Sequence, residues 1–456
     1  MQHRLTSRAS AYLSCSLCAV LLGCSSDQDP SFDGGPTNGL SGSSGASVSP
    51  APEPSAGGSA AEPGPGSGGA VGLGGASNAG EGNVIPVGIA GSSGLMPGGS
   101  SASGGASGGE NAGGAAGAPA EPGDCDTLPE ASPLVGWASV EGRGIATTTG
   151  GGDDTPVIVT TLAELQDAVE GDEPRVILVR GTLEPGDIEV GSNKTIVGTC
   201  GAEIHGHLEL SEVQNVIVRN LTIVGYGEGD CALDPGFDDG EGCSSGVDAI
   251  SVERNTHHVW FDHCSVRDGT DGNLDITNGA DLVTISWTKF SYTPRTDDVG
   301  SDSTGAAGHR FSNLIGGTDE PDDFDDAASL NVTWHHNWWA DNVVERQPRV
   351  RFGQNHLFNN YWDSATTNYC VRAGIQARIL LEGNVFDGVD DPHEFNNEDD
   401  QLTANIDADA SNVYIETTSD RATGGGGPAF TAAPYEYALE DAALVAEAVQ
   451  AGAGPR

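Results

Sequence analysis

From about residue 214 onward the chain repeats one pattern of apolar and polar positions. NVIVRNLTI begins at 215, HVWFDHCSV at 258, LVTISWTKF at 282, NVTWHHNWW at 331, HLFNNYW at 356 and ILLEGNVF at 379. Each copy is rich in β-branched and aromatic residues and keeps apolar residues at alternate positions, which predicts a short strand. The copies at 258 and 282 are offset by 24, and Asn337, Asn360 and Asn384 fall on one matched position at separations of 23 and 24. Cys264 and Thr288 hold that position in the two preceding copies. A period near 24 made of short strands predicts the coils of a parallel β-helix. A β-sandwich would also give regularly spaced short strands. It would not return asparagine to one place in three successive units, whereas stacked asparagines inside a coil satisfy one another's buried amides.

The N-terminal part breaks this pattern. From Asp27 to Gly123 the chain is nearly all Gly, Ser, Ala and Pro, with too little apolar side chain to offset the entropy of ordering. Residues 25–129 are therefore expected to be a disordered linker, and 130–456 the folded domain. MQHRLTSR followed by the apolar AYLSCSLCAVLLG and ending LLGC reads as an export signal whose Cys24 becomes a lipidated N-terminus, or as a plain secretory signal. No later apolar run approaches the ~20 residues of a spanning helix. Outside that segment six cysteines remain, at 125, 200, 231, 243, 264 and 370. Export permits disulfides, with Cys231 and Cys243 the expected pair and Cys264 a buried thiol.

Charge narrows the partners. Nineteen Lys plus Arg against 66 Asp plus Glu leave a net charge of −47, which argues against nucleic acid and against an anionic membrane face. An anionic substrate would have to be held by local arginines and a cation. The acidic stretches beginning at 319 and 390 are expected to be solvated loops.

Coil spacing makes residues one period apart neighbours. Asp248 and Asp271 are 23 apart, and Asp271 and Asp275 are four apart, so the three carboxylates are expected to converge on one face. Stacked like charges destabilise a sheet, and a hard cation with oxygen ligands, calcium above all in an exported protein, resolves the conflict. Further on, VVERQPRVRFG crowds Arg346, Arg349 and Arg351 on what counts as the same face, where they can pair internally or bind an anion.

These residues resemble the pectate lyase family. The likeness runs from about Gly136 to Gly454 through an ordered set of segments: TTTGGG, SNKTIVG, NVIVRNLTI, DAISVE, VWFDHCSV, DGNLDIT, VTISW, TWHHNWW and RQPRVRFG. It implies a right-handed parallel β-helix and calcium-dependent β-elimination on α-1,4-linked polygalacturonate. It further implies calcium ligation by Asp248, Asp271 and Asp275, Arg346 as the base and Arg351 as a substrate-binding residue. Asp262 and His263 look structural. The family's substrate-binding lysine is absent: a count of 24 from Asp271 lands on Arg295, while the segment GHRFSNLIGG favours Arg310 after an insertion. A pectin lyase acting on methyl-esterified chains would not need the three carboxylates, a polygalacturonase would need a carboxyl pair that is not seen, and a non-catalytic β-helix adhesin would not need a convergent Arg/Asp face. A monomeric exported enzyme, held to the membrane only through its lipid, is the expectation.

Overall fold

The computed structural model describes residues 128–227, 231–235, 246–294, 309–320, 325–397, 403–419 and 421–456. The export segment with Cys24, the linker up to residue 127, Arg295, Cys243 and the side chain of Cys231 lie outside the described residues. The chain winds as a parallel β-helix in which each coil contributes three short strands. Ile250–Glu253, His257–Asp262 and Ser265–Arg267 form one coil, and Leu274–Ile276, Asp281–Ser286 and Lys289–Ser291 form the next. Every strand then pairs in parallel with its equivalent one coil on, as in Leu274 with Ile250, Val283 with Val259 and Phe290 with Val266.

The period is not constant. Val259 and Val283 are register partners 24 residues apart, but Val283's partner on the other side is Val332, 49 residues on. One coil is lengthened between Ser291 and Leu314. What looks in the sequence like two periods is a single coil carrying an insertion.

The interior is filled by stacked side chains. Phe290, Trp339, Trp362, Phe386 and Tyr414 occupy one register, with ring centroids 5.6, 4.6, 4.4 and 5.3 Å apart and planes nearly parallel. At the bend between the second and third strands, His263, Trp287, His336, Asn359 and Gly383 all take the left-handed conformation, with φ between 50° and 62°. Non-glycine residues pay to be there, and stacking offsets the cost: the Trp287 ring lies between His263 at 5.6 Å and His336 at 4.2 Å.

The residue after each bend enters the interior and forms the asparagine ladder. Asn337 N–H donates to Asn360 Oδ1 at 2.9 Å, Asn360 N–H to Asn384 Oδ1 at 3.0 Å, and Asn384 N–H to Asn412 Oδ1 at 3.1 Å. Thr288 N–H donates to Asn337 Oδ1 and Cys264 N–H to Thr288 Oγ1, so all five predicted positions belong to one column. Asp262 and His263 are buried and bonded to each other at 2.9 Å, with Ser286 Oγ donating to Asp262 Oδ1 at 2.7 Å.

The helix Leu162–Val169 buries Leu165, Ala168 and Val169 in the core, its start fixed by Thr161, whose side chain accepts from Glu164 N–H. At the C-terminus, the helix Ala442–Gly452 lays Val445 and Val449 against Tyr361 and Val385. Among the described residues no helix is long and apolar enough to cross a membrane. Cys264 and Cys370 are buried free thiols, and Cys200 is in a disulfide.

Candidate active site

The first strands of successive coils form one face: Ile250–Glu253, Leu274–Ile276, Leu314–Ile315, Arg349–Val350, Val371–Ala373 and His393–Phe395. Their register aligns Ser251, Asp275, Leu314, Arg349, Arg372 and Glu394 in one row. Alternation sends the neighbouring Ile250, Leu274, Ile276, Ile315 and Val350 into the core. Residues of this row therefore face outward, and the acidic half of the row lies at one end and the arginine half toward the other.

Asp248 and Asp275 face each other across Gly272. A Cβ at Gly272 would lie 2.8 Å from Asp248 Oδ1 and 3.2 Å from Asp275 Oδ1, so any side chain there would be driven between the carboxylates. Glycine is what leaves that space open. Asp248 Oδ2 accepts from Ser251 Oγ at 3.1 Å, and Asp275 Oδ1 accepts from Leu314 N–H at 2.9 Å. Asp248 Oδ1 is buried with no hydrogen-bond partner. Burial, then the charges of Asp275 and Asp271, push the Asp248 carboxyl well above the usual range. Burial and the charge of Asp271 likewise push Asp275 up to about 7, against the pull of Arg346.

Asp271 sits at the bend before the strand and is turned differently. Its Oδ1 lies 2.6 Å from His309 Nε2, and its side chain is 45% exposed. Burial raises its pKa, but the hydrogen bond and charge of His309, with Arg346, outweigh this and hold it below the ordinary value. Among the described residues no group of three His, Cys, Asp or Glu side chains stands close enough, as placed, to hold a metal ion. The donor set nevertheless suits a hard cation: two facing carboxylates that raise each other's pKa, an unpartnered Oδ1, and a third carboxylate one strand end away.

Arg346 approaches from the far side. It takes a left-handed conformation at φ 56°, its Nε has no hydrogen-bond partner, and its guanidinium carbon stands 4.5 Å over the ring centroid of Phe311. Burial lowers its pKa, but the negative charge available from Tyr369, Asp271, Asp275 and Glu345 raises it further, so the net shift is upward. Arg351 is 2% exposed and already engaged: Nε donates to Asp319 Oδ1 at 2.7 Å and Nη1 to Gly316 O at 2.9 Å. Arg349 is buried in the row, and Arg372 pairs with Glu394 at 2.5 Å while lying 3.6 Å over the Tyr369 ring.

The lengthened coil places the two alternatives for the missing lysine. Gly272, Phe311 and Glu345 are register partners, so Arg310, not the residue 24 after Asp271, is the neighbour of Asp271 one coil on. Arg310 is only 6% exposed. Its neighbours His309 and Phe311 are the groups that meet Asp271 and Arg346. Sequence reading passed over both; the signal was the alternation of an extended segment, in which a buried Arg310 turns 309 and 311 outward.

The acidic stretches are less solvated than their composition suggests. Asp319 holds Arg351, Glu394 holds Arg372, and Asp326 is buried and accepts from Gly279 N–H at 2.6 Å. Arginines of the face draw these carboxylates in.

The pectate lyase family model matches residues 126–455. The chain is 36% identical over 258 residues to a pectate trisaccharide-lyase of Thermotoga maritima, a span that covers 55% of this chain and 60% of that protein. It is 32% identical over 333 residues to pectate lyase A of Emericella nidulans, covering 70% of this chain and 85% of that one. A pectate lyase from Bacillus sp. N165, solved in complex with trigalacturonate, has the same fold at a TM-score of 0.52 and 24% identity, over 71% of this chain and 98% of its own. By the family match and the Emericella relative, the chain belongs to the pectate lyase family.

Proposed function

We propose that this protein is a pectate lyase that cleaves polygalacturonate by calcium-assisted β-elimination. The observation that carries the reading is the pairing of opposite deficits on one face: an unpartnered Asp248 Oδ1 facing Asp275, and an unpartnered Arg346 Nε beside them. The first asks for a cation and the second for an acceptor or an anion.

In the reaction, a C5 proton lies next to the C6 carboxylate, so its removal places new charge beside existing charge. Calcium, held by Asp248, Asp271 and Asp275, supplies Lewis-acid stabilisation of that developing charge. Arg346, in its neutral form, takes the C5 proton. The C5–H electrons form the C4–C5 double bond, the C4–O bond breaks, and the leaving oxygen collects a proton. Asp271 and Asp275 contribute to the charge that keeps Arg346 protonated, and their neutralisation loosens that proton. Arg351, once released from Asp319, is the group that grips a substrate carboxylate.

The test is the ultraviolet absorbance of the conjugated product, followed on polygalacturonate with calcium and with a chelator. Absorbance that rises only with calcium supports the reading. Full turnover in excess chelator removes calcium from it, and hydrolysis without unsaturated product removes the lyase. We also propose export with a lipid on Cys24; the Cys200 disulfide suits an oxidising compartment. Loss of palmitate labelling in Cys24→Ala is the expected result, and unchanged labelling overturns that anchor.

A further inference from the structure

Between the carboxylates and Arg346 stands a residue that neither charge nor motif singles out. Phe311 comes from the lengthened coil and lies in register with Gly272 on one side and Glu345 on the other. It therefore touches both halves of the site. Its ring lies 4.5 Å beneath the Arg346 guanidinium carbon, and the His309 ring lies 4.3 Å from it at an interplanar angle of 48°. His309 in turn contacts Asp271 Oδ1 at 2.6 Å. Carboxylate, imidazole, phenyl ring and guanidinium form one continuous chain of contacts.

The backbone that carries the ring is pinned. Phe311 O accepts from the Tyr292 hydroxyl at 2.6 Å, Ser312 N–H donates to Glu345 O at 3.0 Å, and Asn313 N–H donates to Arg346 O at 2.6 Å. The guanidinium has no such anchor at Nε, which is buried without a hydrogen-bond partner. An aromatic face attracts a guanidinium and favours parallel stacking. Here it supplies the orientation that hydrogen bonds leave unset.

We propose that Phe311 is a positioning residue, its ring fixing the plane of Arg346 against the substrate while His309 braces the ring's other side on Asp271. The proposal rests on Arg346 as the base. A general base must meet its proton in a narrow geometry, and small displacements are costly in turnover. An aromatic ring does this work without competing for the proton, since it carries no acceptor.

The test compares Phe311→Leu, Phe311→Tyr and Arg346→Lys for kcat, KM, calcium affinity by calorimetry, and melting temperature. Phe311→Leu keeps the apolar contact and removes the ring; it is expected to lower kcat by about 10- to 100-fold, with KM and calcium affinity unchanged. Phe311→Tyr keeps the ring and is expected to restore most of kcat. If Phe311→Leu does not fold, Phe311→Met takes its place on the same criteria. Normal kcat in Phe311→Leu, an effect confined to KM, or a Phe311→Tyr as slow as Phe311→Leu overturns the proposal. Arg346→Lys separates the two levels: its inactivity beside a normal Phe311→Leu sinks only the role of Phe311, whereas near-normal kcat in Arg346→Lys removes the base and the proposal together.

Discussion

Two columns of polar side chains run along this β-helix at coil spacing, and they behave in opposite ways. In the interior column, Asn337, Asn360, Asn384 and Asn412 each carry both a donor and an acceptor, so the column closes on itself. Asn360 Nδ2 donates to Asn384 Oδ1 and to Trp334 O, and its Oδ1 accepts from Asn337 N–H. On the outer face the polar residues are Asp at one end and Arg toward the other. Carboxylates only accept and guanidinium groups only donate, and the geometry leaves Asp248 Oδ1, Arg346 Nε and Arg349 Nε without hydrogen-bond partners. A self-complementary side chain repeated every coil builds a scaffold. A one-sided side chain repeated every coil builds a place for something else.

The largest effect is expected where the outer column meets the chemistry. Arg346→Lys should lower kcat by about 1000-fold, or about 4 kcal/mol, with the melting temperature unchanged, because no hydrogen bond of its Nε holds the fold. Arg351→Lys should instead raise KM, since lysine retains the charge but not the two-pronged grip. Steady-state constants for both variants decide this. A KM effect at 346 with near-normal kcat would make Arg346 a binding residue and leave the face without an identified base.

The interior column is expected to answer in stability alone. Asn360→Ala strips partners from Asn337 N–H, Trp334 O and Asn384 in a dry interior. Unmade buried hydrogen bonds and the cavity together should cost about 4 kcal/mol, read by denaturant unfolding. Activity per folded molecule should hold. A drop in kcat with unchanged stability would mean that the columns are coupled and the distinction drawn between them is wrong.

The two columns also differ in how far they can be read in the sequence. Asn337, Asn360 and Asn384 announce themselves because one residue type recurs at nearly one period. Asn412 does not, because its coil is longer and it stands 28 residues from Asn384. The outer column depends on counting across coils, and counting fails where a coil is lengthened: the partner of Gly272 is Phe311, 39 residues on. Asp248, Asp271 and Asp275 precede that insertion and were legible; the residues that meet them from beyond it, His309 and Phe311, were not. Nor could composition show that Asp319 and Glu394 leave their acidic loops to pair with Arg351 and Arg372, since that follows from which arginines the coils bring within reach.

A third set of polar residues tests the rule from another side. Histidines 257, 258, 335, 336 and 356 lie on the second face, and burial lowers all their pKa values. Burial, then the charges of His258 and Arg143, bring His257 down to about 4 from 6.5. The folded state thus binds fewer protons than the unfolded chain between those values. Stability is fully present above about pH 6.5 and is lost as pH falls toward 4, on the order of 3 kcal/mol for His257 alone. His257→Gln should flatten the acid limb of stability against pH relative to the unsubstituted protein. An identical slope in both would show that His257 is protonated in the fold.

The smallest effect is expected at the edge of the outer column, where it has found a partner within its own chain. Arg351 is the one arginine of the VVERQPRVRFG segment whose fork is held by a carboxylate, Asp319 Oδ1 at 2.7 Å. Asp319 is 51% exposed, so the pair is partly screened and weak. A substrate carboxylate must displace it, and the displacement subtracts from binding. Asp319→Asn should therefore lower KM for polygalacturonate by about two- to fivefold, less than 1 kcal/mol, and leave kcat alone. The effect should shrink as salt is added, because screening weakens the competing ion pair first. If KM rises instead, Asp319 orients Arg351 for substrate, and the outer column is partly built from its own loops rather than open to the ligand.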